Sequence, residues 1–148
     1  MKRNKGFTLL EVLIVIGIVA IVAAIVYPAY ANHIRRAACD NGKAGLVQAA
    51  ALMNQYYMQY GKYKNSQTYA SNGDQVFEIN KLPSDSNGDG DFSVTLSDLT
   101  DTSFTLTAKP TATGRLHGVS GGLTINEKNV TKGQLNGKDV WSEGCNSI

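Results

Sequence analysis

The sequence predicts an α+β fold, in which one long N-terminal helix, half membrane segment and half packed segment, lies against a small antiparallel β-sheet of about 3–4 strands. Three observations carry this expectation. Residues Val12 to Ile34 form a run of 23 positions without a charge. Apolar side chains at 3- and 4-residue spacing then continue to Tyr57, and a glycine follows at Gly61. After a polar, Asp- and Gly-rich middle, apolar residues alternate with Ser and Thr, the period of strands with one buried face. A length of 148 residues fits one domain, and an apolar share of 43% with no three-residue glycine period excludes a disordered or collagen-like chain.

The helix comes first. Val12 to Ala31 would span about 30 Å at the helical rise, the thickness of a bilayer core. Lys2, Arg3 and Lys5 precede the run, which orients the N-terminus toward the cytoplasm. Ala29-Tyr30-Ala31 has the small residues of a secretory cleavage site, but so long an apolar run and a carboxylate at Glu11 do not suit a signal peptide. Glu11 at the edge of a membrane helix costs a few kcal/mol unless it finds a partner. A cut between Gly6 and Phe7 would create one, because the new α-amine would stand four residues before Glu11. It could neutralise that carboxylate within one helix or between staggered copies. The pattern predicts one helix from Phe7 to Tyr60, with Gly61 as a left-handed cap. Inside it Pro28 removes one backbone hydrogen bond and crowds the preceding turn.

Residues 62–91 read as loop, with a short apolar break at Val76-Phe77 and Ile79. Phe92 to Leu96 and Phe104 to Ala108 read as strands. Leu123 to Ile125, introduced by Gly121-Gly122, is a third candidate, and a short fourth lies near Val140-Trp141. Cys39 falls on the helix and Cys145 three residues from the C-terminus. In an oxidising compartment two cysteines in a small exported domain most simply form one disulfide. Closing a loop of that size would stabilise by about 4–5 kcal/mol.

The N-terminal third resembles the class III prepilins, precursors of the type IV pilins. A short basic leader, Gly6, Phe7-Thr-Leu-Leu-Glu11, about twenty apolar residues and Pro28 fall at that family's positions. The resemblance implies the type IV pilin fold, with residues 1–6 as leader peptide, 7–31 as hydrophobic helix and filament core, and 32–148 as a head outside the membrane. It further implies cleavage after Gly6 by prepilin peptidase, N-methylation of Phe7, Glu11 as the acid that registers subunits, and a kink or melted stretch at Pro28. Its implied partners are other pilin subunits, the peptidase and the inner-membrane assembly machinery. The subunit would sit in the inner membrane before assembly and in an extracellular filament afterwards.

Met53-Asn-Gln-Tyr56-Tyr57, Phe104-Thr-Leu-Thr-Ala108, Gly122-Leu-Thr-Ile125 and Trp141-Ser-Glu-Gly-Cys145 are similar to minor pilins of the PilE and ComP-like group. Major pilins usually carry both cysteines in the C-terminal half, whereas here Cys39 is on the helix, which points to a minor subunit. A major pilin, a type II secretion pseudopilin and a DNA-binding minor pilin for natural transformation stand as alternatives.

Electrostatics and chemistry narrow the field. The net charge is +2, but without Lys2, Arg3 and Lys5 the balance becomes −1, so net charge makes no case for nucleic acid. Residues 35–64 hold five bases to one acid, yet Arg35 and Arg36 stand where lipid headgroups or assembly neighbours are the nearer partners. Tyr56, Tyr57, Tyr60 and Tyr63 could stack bases or pack between helix and loop. Asp85, Asn87, Asp89 and Asp91 follow the opening half of a calcium loop, with Ca²⁺ as the implied cofactor. Leu96 stands at the twelfth position, so a bidentate ligand would have to come from Asp98 or Asp101. The alternative is a solvated acidic turn. With His33 beside the membrane, His117 in a Gly-rich loop and no nucleophile, phosphate-loop or metal-histidine spacing, nothing points to an enzyme.

Overall fold

A computed structural model describes residues 7–63, 80–83, 87–146 and 148. Residues 1–6 with Gly6, the break at Val76-Phe77 and Ile79, and Asp85 lie outside the described residues.

Helix α1 runs Leu9–Tyr60. It begins within two residues of the expected start and passes through Pro28 without a melted stretch. Proline takes away only the donor to the Ala24 carbonyl, and in a 52-residue helix the flanking turns hold. Gly61 ends it as expected: its φ is 70° and its N–H donates to the Tyr57 carbonyl at 2.7 Å, closing an αL cap. The chain divides into two compact units, one ending at His33 and one running Ile34–Ile148. In the first, the side chains from Phe7 to Tyr30 are all exposed. With a mean hydropathy of 3.1 over its most apolar window, the helix is long and apolar enough to cross a membrane.

The second unit holds a six-stranded antiparallel sheet in sequential order. Its strands are β1 (Lys81–Leu82), β2 (Phe92–Ser97), β3 (Thr105–Pro110), β4 (Gly121–Asn126), β5 (Thr131–Leu135) and β6 (Lys138–Asp139). The expectation of about 3–4 strands was low because β1 and β6 have two residues each, too few to show alternation, and β5 turns only Leu135 into the core. The fourth strand also sits earlier than Val140-Trp141. An Asn136-Gly137 turn, with φ of 51° and 78°, pairs Leu135 with Lys138 and leaves Val140 to plug the core.

Burial follows the alternation. Phe92, Val94, Leu106, Ala108, Leu123 and Ile125 point inward, where they join Ala38, Leu46, Ala49, Ala50 and Met53 of α1 in one hydrophobic cluster. The helix admits the sheet through a small-residue notch. A Cβ on Gly42 would collide with the Phe92 ring, and one on Gly45 would stand 2.6 Å from Leu82 Cδ2. The opposite face is hydroxylic. By register Thr95, Thr107, Thr124 and Lys132 form one cross-strand row, and in the next Ser93 faces Lys109 and Gly122 faces Gln134.

Candidate functional site

Four places carry the candidate residues. At the start of α1, Thr8 and Glu11 form a capping box. The Thr8 amide and hydroxyl each donate to Glu11 Oε2 at 2.8 Å, and the Glu11 amide donates to Thr8 Oγ1 at 3.3 Å. This satisfies helix-terminal donors that have no intrahelical partner. Phe7, next to it, is almost wholly exposed. The carboxylate expected to register subunits is therefore already turned toward the end of its own helix where a Phe7 amine would appear. Thr8 was missed by sequence reasoning, although the Thr-x-x-Glu spacing signals it.

The second place is the C-terminal segment. Cys39 and Cys145 are joined in a disulfide with Cα atoms 6.0 Å apart, and both are buried. Lys43, one turn along α1, donates to the Val140 carbonyl at 2.8 Å and sits 5.3 Å from the centre of the Trp141 ring. Asp139 Oδ1 accepts from the Trp141 amide at 3.0 Å. That bond, with lesser ones from Ser142 and the charge of Lys43, holds the Asp139 carboxyl below the usual range.

The third is the acidic loop, where Asn87, Asp89 and Asp91 share one turn. Asp91 is only 4% exposed, and its two oxygens accept from Arg115 at four distances between 2.6 and 3.1 Å, three from the guanidinium and one from the amide. Burial pushes this carboxyl upward, and the Arg115 bonds and charge together outweigh it, so it lies below the ordinary range. Lys81 Nζ donates to the Gly88 carbonyl at 2.8 Å, and the Asp89 carboxylate accepts from Thr113 Oγ1 at 3.2 Å. Asp98 lies past the far end of β2, about 20 Å of strand from Asp91. Tyr63 donates its amide to the Asp101 carbonyl at 3.0 Å, near that same far turn. The described residues thus do not fit a calcium cage: two protein cations hold the turn, and the proposed closing ligands are a strand's length away. Among the described residues no three His, Cys, Asp or Glu converge for a metal.

The fourth is the cationic part of the sheet's outer face. Lys109 bends over the neighbouring strand, its Cγ lying 3.3 Å from where a Cβ of Gly122 would stand. Lys132 lies on the same face one row away. The tyrosines pack: Tyr57 stacks on Tyr63 at 4.6 Å, Tyr63 meets Phe104 edge-on at 4.9 Å, and its hydroxyl donates to Asn54 Oδ1 at 2.7 Å.

Comparison with known families settles the kinship. A model described as "Type IV minor pilin ComP, DNA uptake sequence receptor" matches residues 28–118, and the prokaryotic N-terminal methylation motif matches residues 1–27. The chain belongs to the type IV minor pilin family. It is similar to the type IV major pilin protein PilE1 of Neisseria gonorrhoeae, 37% identical over 67 residues that cover 45% of this chain and 41% of that protein. Prepilin peptidase-dependent protein D of Escherichia coli K12 is 55% identical over 38 residues, 26% of each chain. The match spans about two fifths or less of the length of these relatives. The crystal structure of the Neisseria meningitidis non-core minor pilin PilV superposes with a TM-score of 0.52 at 26% identity, covering 72% of this chain and 93% of that one.

As a minor pilin, the chain is anchored in the inner membrane by its apolar helix before it enters an extracellular pilus. Beyond Thr8, sequence reasoning passed over two further residues of this minor pilin. Arg115 and Lys43 are single basic residues in unremarkable contexts, and only the fold brings them to Asp91 and to the C-terminal segment.

Proposed function

We propose that this minor pilin is cleaved between Gly6 and Phe7 by prepilin peptidase, N-methylated on Phe7, and polymerised through α1 with other pilin subunits by the inner-membrane assembly machinery. The observation that carries the reading is an apolar helix half left exposed among the described residues, with one acid at its tip. Such a surface needs lipid or sister helices. Glu11, already drawn to the helix end by Thr8, offers its carboxylate to the Phe7 amine of the same or the next subunit, and the pairing offsets the cost of burying either charge. The role is structural rather than enzymatic. Two measurements test it. Mass spectrometry of mature protein should find methyl-Phe7 as the first residue; a chain beginning at Asn32 would refute the reading. Glu11→Val should keep the protein in the inner membrane and abolish its incorporation, and wild-type incorporation by this variant would refute subunit registration.

A second reading, that the head binds DNA, is favoured by the match of residues 28–118 to a family described as a DNA uptake sequence receptor. Lys109 and Lys132 on an outer face rich in hydroxyls are the residues to test. Full-length protein in detergent should shift duplex DNA at low ionic strength, with affinity falling as salt rises. A Lys109→Glu, Lys132→Glu variant should lower the salt slope by about 2, since each phosphate contact contributes close to one. An unshifted duplex at low salt removes this reading and leaves the assembly role intact.

A further inference from the structure

The turn between β4 and β5 carries chemistry that neither assembly nor DNA binding uses. Its sequence, Glu127-Lys128-Asn129-Val130-Thr131, contains the Asn-x-Thr acceptor pattern for N-linked glycans. Asn129 is one of 12 asparagines and the only one followed two residues later by Ser or Thr. The fold presents it exposed at the apex of a turn. The turn is held by another residue: Asn126 Oδ1 accepts from the Lys128 and Val130 amides at 3.1 and 2.9 Å, and the Asn126 carbonyl accepts from the Asn129 amide at 2.9 Å. Asn129 is exposed with a φ of 56°. Its carboxamide and the Thr131 hydroxyl have no hydrogen-bond partner among the described residues. Asn136, in the next turn, contrasts with it, since its Oδ1 accepts from the Ser120 amide at 3.0 Å.

We propose that Asn129 is an acceptor for N-linked glycosylation outside the membrane, taking an oligosaccharide carried on a polyprenyl pyrophosphate. The carboxamide nitrogen attacks the anomeric carbon of the sugar. A C–N bond forms, the C–O bond to pyrophosphate breaks, the polyprenyl pyrophosphate leaves with the electron pair, and one amide proton passes to a base. Thr131, two residues on, supplies the hydroxyl by which a transferase recognises the acceptor. Glu127, two residues before, adds a carboxylate for a transferase cation. Such an enzyme must hold the acceptor extended, and this turn can open cheaply. Lys128, Asn129 and Val130 are exposed, so the core loses no side chain when they swing out. The donor lipid lives in the membrane that anchors this chain, and the inference rests on the head emerging from that membrane.

Asparagine also suits a left-handed turn position by itself, so the test separates the two reasons for its presence. Trypsin cuts after Lys128 and Lys132 and releases Asn129 to Lys132 as a four-residue peptide. In filaments sheared from native cells this peptide should carry a saccharide mass. Asn129→Gly, which keeps the turn, and Thr131→Val should both lose that mass while still entering filaments, and Thr131→Ser should retain it. A bare peptide in wild-type filaments, or a saccharide that persists in Asn129→Gly, overturns the proposal. Methyl-Phe7 in the same filaments reports processing and assembly separately, so failure here is distinguishable from failure of that reading.

Discussion

Asp91 and Arg115 show how a buried acid contributes to the response of the head to acid. The folded carboxyl titrates below its unfolded value, so its contribution is fully present above about pH 4, the unfolded carboxylate value. It is lost as the pH falls through the lower folded pKa. The thermal midpoint of the wild-type protein should therefore drop below about pH 4 more steeply than that of Asp91→Asn. Arg115→Gln leaves the carboxylate nearly buried without its cation and should cost about 2 kcal/mol at neutral pH in denaturant melts, the scale of hydrogen bonds to a charged group. The same pair places a protein cation in the turn where the sequence suggested Ca²⁺. Alternating Asp, Asn and Gly is legible in the sequence as turn chemistry, but the cation is supplied from 24 residues downstream by a lone arginine that no local pattern marks. At the other end of the chain the Thr8 and Glu11 box is local and could have been read. Thr8→Val should fray the first turn of α1 and speed hydrogen exchange at the Glu11 and Val12 amides.

Among the elements, legibility follows length and one-sidedness. Helix α1, β2 and β3 declare themselves because each repeats its period several times, and β4 does so through Leu123 and Ile125. β1 and β6 are defined by the strands they pair with rather than by their own residues, and the Asn136-Gly137 dipeptide was the available signal for β6. The notch on α1 was hidden as well, since Gly42 in a helix pattern reads as a weak point worth about 1 kcal/mol. The structure reverses that value. Gly42→Ala should lower stability by about 1–3 kcal/mol despite its better helix propensity, because the Phe92 ring occupies the space a methyl group needs. A chemical denaturation midpoint shifted upward instead would show that helix and sheet can separate at no cost.

For the whole molecule, the Cys39–Cys145 bridge matters most, because it joins positions 106 residues apart. Removing it with Cys39→Ser and Cys145→Ser should cost about 4–5 kcal/mol in the chain-entropy account, read as a loss of denaturation midpoint that reductant reproduces in the wild type. The pairing was legible from compartment and count alone. The Lys43 contacts that lay the C-terminal segment beside the same stretch of helix were not, because they depend on a backbone carbonyl that no sequence pattern exposes.

The two shortest strands have an effect beyond the single chain. The strands at the two borders of the sheet, β1 and β6, have two residues each, and short border strands are one of the devices that limit backbone pairing with a neighbouring chain.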